Sequence, residues 1–344
     1  MILFLMEGYK FLSDVIRKCL VDSTERKVKI WQWITNMLVI AFIAVALLAF
    51  SQDHSKSHKE KSRLIGCSYM TMNNEFYQIL NEQVSHRVEA ERDRLMLRDP
   101  ALDVNRQIEQ INSMIDEGVD ALVVTPVDSS SLSKVLRRAR KHGIKIIVVD
   151  SEIDEPELAD CTIVSDNYNA GSIIGKYYLK DHEEGQVVIL THESTASGRE
   201  RVRGFKDTIS ANSEIRIMAE LDCQGQVEIA MPVLRDYLEQ GKKFDSVFCL
   251  NDLAAMGAAS ALEEAGILNE TDVYGVDGSP DVKALIAEGK VRATAQQFPT
   301  RLGFQAGEAL YKLLQGEKTE KNIIVPVELL NSNNVEDNYV DRWQ

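Results

Sequence analysis

Four apolar, β-branched runs in this 344-residue chain each end in a small polar group. They are Leu122-Val123-Val124-Thr125, Ile146-Ile147-Val148-Val149-Asp150, Val247-Phe248-Cys249-Leu250-Asn251-Asp252 and Val273-Tyr274-Gly275-Val276-Asp277-Gly278. Short runs of this composition read as strands buried on both faces. The C-terminal ends of such strands face the crevice where open α/β sheets bind ligands, which aims Thr125, Asp150, Asn251 and Asp277 at something small and hydroxylated. A carboxylate accepts from two vicinal hydroxyls, and an Asn side chain both donates and accepts. Plainer roles compete with this one: N-caps for Asp150 and Asn251, and a turn position for Asp277 before Gly278. Asp252 reads as the better N-cap for a helix starting at Leu253, which leaves Asn251 to the cleft.

Asn73-Asn74-Glu75-Phe76-Tyr77 opens a helix just after the first strand run. Adjacent aromatics there either present flat faces to the apolar C–H surface of a sugar ring or staple the helix into the core. In Ser197-Gly198-Arg199-Glu200-Arg201-Val202-Arg203-Gly204-Phe205 one arginine reaches the cleft and the rest form a solvated face. No Walker loop, spaced G-x-G-x-x-G, G-x-S-x-G elbow or H-E-x-x-H is present. His192 follows a strand without an evident Ser or Cys partner. The five cysteines, Cys19, Cys67, Cys161, Cys223 and Cys249, show no zinc spacing. The chain therefore reads as a binding protein without metal, cofactor or catalytic residues.

The elements that must hold these residues alternate along the body. There are eleven strand signals, the last at about 322–326, and nine helix signals, one of them at about 129–142. Eleven parallel strands suit two sheets of about five or six better than one. Gly143 and Gly266 are placed to end helices, and Ser279-Pro280 to start one. Residues 1–63 carry a charge balance of +4 and the remainder −18. An acidic body argues against nucleic acid.

Ile34 to Phe50 is uncharged and about one membrane span long, with Trp31 and Trp33 just before it at an interfacial position. It reads as an uncleaved anchor, or else as the apolar core of a signal peptide cut near Ala49-Phe50-Ser51. Residues 51–63 form a polar stalk. Leu64-Ile65-Gly66-Cys67 looks like a lipoprotein signal, but it is separated from the apolar segment. The acidic body lies on the extracytoplasmic face of the cell envelope under either reading.

From Leu64 to about Val325 the chain resembles the type I periplasmic sugar-binding proteins, the ribose-binding group in particular. The resemblance is carried by Asn73 to Tyr77, Thr125-Pro126-Val127-Asp128-Ser129, Val148-Val149-Asp150, Ser165-Asp166-Asn167, Gly198 to Arg201 with Gly204-Phe205, Asn251-Asp252 with Met256-Gly257-Ala258, Gly275 to Asp281, and Ala293-Thr294-Ala295-Gln296-Gln297 with Pro299. It implies an α/β fold of two Rossmann-like lobes with three hinge crossings, near Ser165-Asp166, Gln296-Gln297 and Val325. The lobes would be residues 64–165 with 297–325, and residues 166–296 with 326–344. By position, Phe76 and Tyr77 look like stacking residues, and Asn74, Asp150, Arg199, Asn251, Asp277 and Gln297 like polar contacts. Three positions depart from the ribose-binding pattern: Thr125 stands in place of an asparagine, Ser151 of an arginine and Cys223 of a third aromatic. These departures alter the hydrogen-bond set the pocket offers, so the expected ligand is another monosaccharide or a polyol rather than ribose itself.

The resemblance implies a monomeric solute-binding protein that presents its ligand to an ABC-type importer. The N-terminal apolar segment raises the alternative of a membrane sensor kinase as partner. Regulators of the Lac-repressor type share this body fold, but here a helix-turn-helix is replaced by the apolar segment and stalk. An enzyme on this scaffold would need a nucleophile–base pair or metal cluster that the motifs do not supply.

Overall fold

The computed structural model describes residues 10–14, 16, 31–45, 62–338 and 340–343. It divides into two units, residues 1–61 and residues 62–344. In the first unit, residues 31–45 are helical, and Trp31, Trp33, Met37, Leu38, Ile40, Phe42 and Val45 are exposed. No helix of the described residues is long and apolar enough to cross a membrane. The last part of the expected 34–50 segment and most of the stalk lie outside the described residues.

Among its described residues the second unit holds twelve strands and nine α-helices. The strands are β1 (Leu64–Ser68), β2 (Arg94–Arg98), β3 (Ala121–Val124), β4 (Lys145–Val149), β5 (Cys161–Ser165), β6 (Gly185–Thr191), β7 (Ile215–Asp222), β8 (Ser246–Cys249), β9 (Asp272–Asp277), β10 (Ala293–Gln296), β11 (Asn322–Val325) and β12 (Glu328–Asn331). The helices are α1 (Glu75–Ala90), α2 (Val104–Asp116), α3 (Ser133–Lys141), α4 (Asn167–Asp181), α5 (Ala196–Ile209), α6 (Val227–Glu239), α7 (Asp252–Glu264), α8 (Pro280–Ala287) and α9 (Pro299–Leu314).

The strands form two six-stranded sheets, ordered β11-β5-β4-β3-β1-β2 and β12-β10-β9-β8-β6-β7. Every pairing is parallel except β10 with β12. Burial on both faces explains the uninterrupted apolar runs. In β4, Ile147 and Val149 pack with α1 and α9 through Phe76, Leu80, Leu302 and Leu310. Ile146 and Val148 pack on the opposite face with α2 and α3 through Ile111, Met114, Leu132 and Leu136.

The chain leaves the first sheet after Ser165, returns after Gln296 and leaves again after Val325. β5 and β11 stay paired to their last residues, Ser165 with Val325, and Asp166 N–H then donates to the Val325 carbonyl. The first and third crossings are thus hydrogen-bonded side by side.

Local differences from the sequence reading have local causes. β12 is an added antiparallel edge strand, which needs no alternating or β-branched run because only one side of it is paired. Helix α3 starts at Ser133, not near residue 129. The Asp128 carboxylate instead accepts from the Ser130 N–H and hydroxyl, holding that segment in turns. Gly143 and Gly266 have φ of 75° and 73°, as helix-ending glycines require. Ser279 caps α8 by accepting from Val282 N–H ahead of Pro280.

Helices α4 and α5 approach unusually closely. A Cβ at Gly171 would overlap the Arg201 carbonyl, and one at Gly204 would overlap the Tyr168 carbonyl. This contact is backbone against backbone and cannot be relieved by a rotamer change. Gly204→Ala is expected to separate the two helices and lower unfolding free energy by about 1–3 kcal/mol. A urea titration showing an unchanged midpoint would refute that.

Candidate functional site

The two carboxylates that face the cleft sit at equivalent places in the two sheets. Asp150 directly follows β4 and Asp277 is the last residue of β9. Both are buried and both have positive φ, 69° and 141°. Side chains rarely adopt that backbone, and such strain clusters at functional sites.

α1 is capped by Asn74, whose Oδ1 accepts from Phe76 N–H at 3.0 Å. The cap sets Phe76 and Tyr77 in the first turn, beside the end of β1. The Tyr77 hydroxyl donates to Asp150 Oδ2 at 2.9 Å. The Tyr77 ring stacks on Tyr69 with centroids 6.0 Å apart and meets Phe76 edge-on at 5.4 Å.

Arg201, on α5, is buried and supplies the positive charge. Its Nε donates to Asn167 Oδ1 at 2.9 Å and its Nη1 to the Leu250 carbonyl at 3.1 Å and to Asp277 Oδ1 at 3.3 Å. Gln297 Nε2 donates to the same Asp277 oxygen at 2.6 Å. Asn167 begins the segment after the first crossing and Gln297 the segment after the second, so one hydrogen-bond chain joins both crossings to the carboxylate.

Asn74, Phe76, Tyr77, Asp150, Asn251, Asp277 and Gln297 all line one cavity between the sheets, of about 50 Å³. That is well below the volume of a ligand pocket, so the cleft is nearly shut. Arg201, His192, Thr195 and Ser197 also line it. Asn251 does so while capping α7, accepting from Ala254 N–H at 2.9 Å. The cap is therefore Asn251 and not Asp252, whose buried carboxylate instead accepts from Ser279 N–H and the Thr294 hydroxyl. His192 has a Ser partner after all, with Nε2 2.9 Å from Ser194 Oγ.

Four of the sequence-derived residues are not brought to the cavity. Thr125 turns its hydroxyl onto the Val149 carbonyl at 2.9 Å, in the sheet interior. Cys223, directly after β7, is buried with its thiol donating to the Thr191 carbonyl, and burial pushes its pKa up to about 12. Ser151 accepts from Ser197 N–H at 3.2 Å. Arg199 points outward and donates to Ser129 Oγ at 3.0 Å and Asp154 Oδ1 at 3.3 Å. Arg201, two residues further along the helix, holds the cleft position that Arg199 was expected to hold.

Ser151 and Arg199 serve another purpose. Ser129, Ser151 and Asp154 belong to loops of the first sheet, whereas Ser194, Ser197 and Arg199 belong to the second. Ser129 N–H also donates to the Ser194 carbonyl at 2.9 Å. These bonds close the edge of the cleft.

Trp343 was not anticipated, since a lone aromatic in a polar tail carries no pattern. Buried Lys283 on α8 donates to the Asn338 and Arg342 carbonyls and holds the tail. Trp343 then crosses to α1, where its Nε1 donates to Glu75 Oε2 at 2.8 Å and its ring meets Phe76 edge-on at 5.7 Å.

Burial dominates the electrostatics. It raises the pKa of Asp150, with Arg201 and Tyr77 opposing, and lowers that of His192. Asp277 is pushed up to about 7, by burial first and by the nearby Asp252 and Asp150 charges, against Arg201 and Gln297. Among the described residues no group of three or more His, Cys, Asp or Glu side chains could hold a metal ion.

Residues 65–318 match the family described as periplasmic binding protein domain. The chain is 28% identical to the ribose import binding protein of Bacillus subtilis over 80% of this chain and 89% of that one. It is also 28% identical to a D-ribose/D-allose-binding protein of Pseudomonas aeruginosa, over 85% and 95%. Its fold is similar to that of an ABC transporter solute-binding protein from Bacillus halodurans with bound myo-inositol, at a TM-score of 0.77 and 24% identity, covering 82% of this chain and 98% of that one. A binding component of an arabinose ABC transporter from Shewanella, bound to L-arabinofuranose, superposes with a TM-score of 0.74 at 25% identity, covering 80% and 94%.

The raised Asp277 pKa fixes the sign of a pH effect. Between the ordinary 3.8 and about 7 the folded protein holds a proton that the unfolded chain has released. Stability from this group is therefore full at acid pH and lost as pH rises through that window. Asp277→Asn, without ligand, is expected to show a shallower fall in Tm across it than the unsubstituted protein. Parallel Tm profiles by scanning calorimetry would contradict this.

Proposed function

Because the chain belongs to the periplasmic binding protein family, we propose that it captures a monosaccharide or polyol between its two lobes, residues 64–165 with 297–325 and residues 166–296 with 326–344, and presents it to an ABC-type importer. The observation that carries this reading is the single cavity in which Asp150 and Tyr77 from one sheet face Asp277, Arg201 and Asn251 from the other. The polar contacts are divided between the two sheets, so a ligand satisfies all of them only when the sheets are close. Its binding energy then acts as a bias toward the closed form. Aromatic faces from Phe76 and Tyr77 suit the C–H surface of a sugar ring, and the carboxylates suit its hydroxyls. The ligands named for the similar proteins, which include ribose, allose, arabinose and myo-inositol, support the same class.

The helix at residues 31–45 exposes Trp31, Trp33, Met37, Leu38, Ile40, Phe42 and Val45, large apolar side chains that favour burial in another apolar phase. It supports attachment of the acidic body to the extracytoplasmic side of a membrane, and such a tether also suits a membrane sensor as partner. Alkaline extraction of membranes that releases the full chain would count against the tether.

Calorimetric titration against a panel of pentoses, hexoses and cyclitols tests the main reading. At least one is expected to bind, and Arg201→Ala to abolish that binding while lowering stability by about 3 kcal/mol, because it strands a buried carboxylate. Folded protein that binds nothing in the panel would refute the sugar assignment.

A further inference from the structure

We propose that the ligand of this cleft carries a protonated amine: it is an amino sugar or an aminated polyol. The inference rests on the sugar-cleft reading above and narrows it.

The first observation is the balance of fixed charge. Among the described residues that line the cavity there are two carboxylates, Asp150 and Asp277, and one guanidinium, Arg201. His192 is kept neutral by burial. Arg201 is already committed to Asn167, the Leu250 carbonyl and Asp277. Asp150 is hydrogen-bonded by the neutral phenol of Tyr77, and Arg201 reaches it only through its charge and not through a hydrogen bond. Ser151, where a second arginine would be expected from the resemblance, is engaged by Ser197 instead.

The second observation is independent of charge. Gln297 is only 1% exposed, and its Nε2 donates to Asp277 Oδ1. Its Oε1 is left buried, without a hydrogen-bond partner, in a side chain that lines the cavity. The wall thus presents, at Gln297, a buried acceptor that no protein donor satisfies.

A neutral hydroxyl brings one proton and two lone pairs, and so adds an acceptor for each donor. An ammonium brings three donors, no acceptor and a positive charge. It answers the unpaired acceptor and the excess of one carboxylate over the guanidinium together, where burial makes both costly. The faces of Phe76 and Tyr77 favour a cation as well. Asp277 faces Arg201 from α5, Asp252 from α7, Asp150 after β4, Tyr77 from α1 and Gln297 after β10. An ammonium among them lets the Asp277 carboxyl release its proton.

Matched probes test the proposal by calorimetry on the full chain: glucosamine, glucose and N-acetylglucosamine; the three galactose counterparts; and an inosamine with myo-inositol. At least one amine is expected to bind about tenfold or more tighter than its hydroxyl and N-acetyl partners. Asp150→Asn should shrink that gap by a similar factor. A second measurement needs no variant. In buffers of different ionisation enthalpy at about pH 6, where the amine is already protonated, its binding should release the Asp277 proton. Hydroxyl members that bind as tightly as the amines, or amine binding without proton release, would overturn the amine assignment while leaving the sugar cleft standing. Failure of every probe to bind folded protein would overturn both.

Discussion

A guanidinium with almost no access to water organises this molecule. Arg201 could not be buried for its own sake, since removing a charge from solvent costs several kcal/mol. It is tolerated because Asn167, the Leu250 carbonyl and Asp277 converge on it. Those partners lie at the first crossing, at the end of β8 and at the end of β9. Through Asp277 the network reaches Gln297 at the second crossing. Any movement of the crossings therefore disturbs the carboxylate that a ligand would touch, and any ligand on the carboxylate bears on the crossings. Close packing of α4 on α5 at Gly171 and Gly204 is the precondition, because it brings Arg201 within reach of Asn167.

The second constraint is backbone strain. Asp150 and Asp277 occupy left-handed conformations that glycine would adopt more readily. Aspartate at these places gives up stability, and the loss makes sense when the carboxylates have a task that glycine cannot perform. Their burial, and the raised pKa that follows from it, leaves the ligand-free cleft electrostatically unsettled. A site of this kind gains from filling, which is what a capture protein requires.

The bonds outside the cavity have a different character. Arg199 with Ser129 and Asp154, Ser197 with Ser151, and Trp343 with Glu75 and Phe76 all span the two halves of the cleft. Each is partly exposed or neutral, and surface pairs of this type contribute little individually. They bias the cleft toward closure without locking it, so the ligand's own contacts still decide whether it stays shut.

Much of this was legible in the sequence. Strand and helix order, the division into two sheets, the strand-end positions of Asp150, Asn251 and Asp277 and the aromatic pair at the head of α1 follow from local composition and periodicity. These are properties that neighbouring residues determine between themselves. What the sequence alone left open was which way side chains pointed once elements packed. Arg199 and Arg201 are two residues apart and so lie about 200° apart around a helix. Only the phase of α5 against its sheet put Arg201 inside and Arg199 on the closing edge. Thr125 stands at a strand end as expected and Cys223 just after β7, but packing turned both side chains onto backbone carbonyls and away from the cavity. Trp343 reached α1 because Lys283 anchored a tail whose own residues carry no periodic signal. Local order is written in the chain. Orientation across the cleft is decided only by long-range packing, because it depends on contacts between residues that are far apart in sequence.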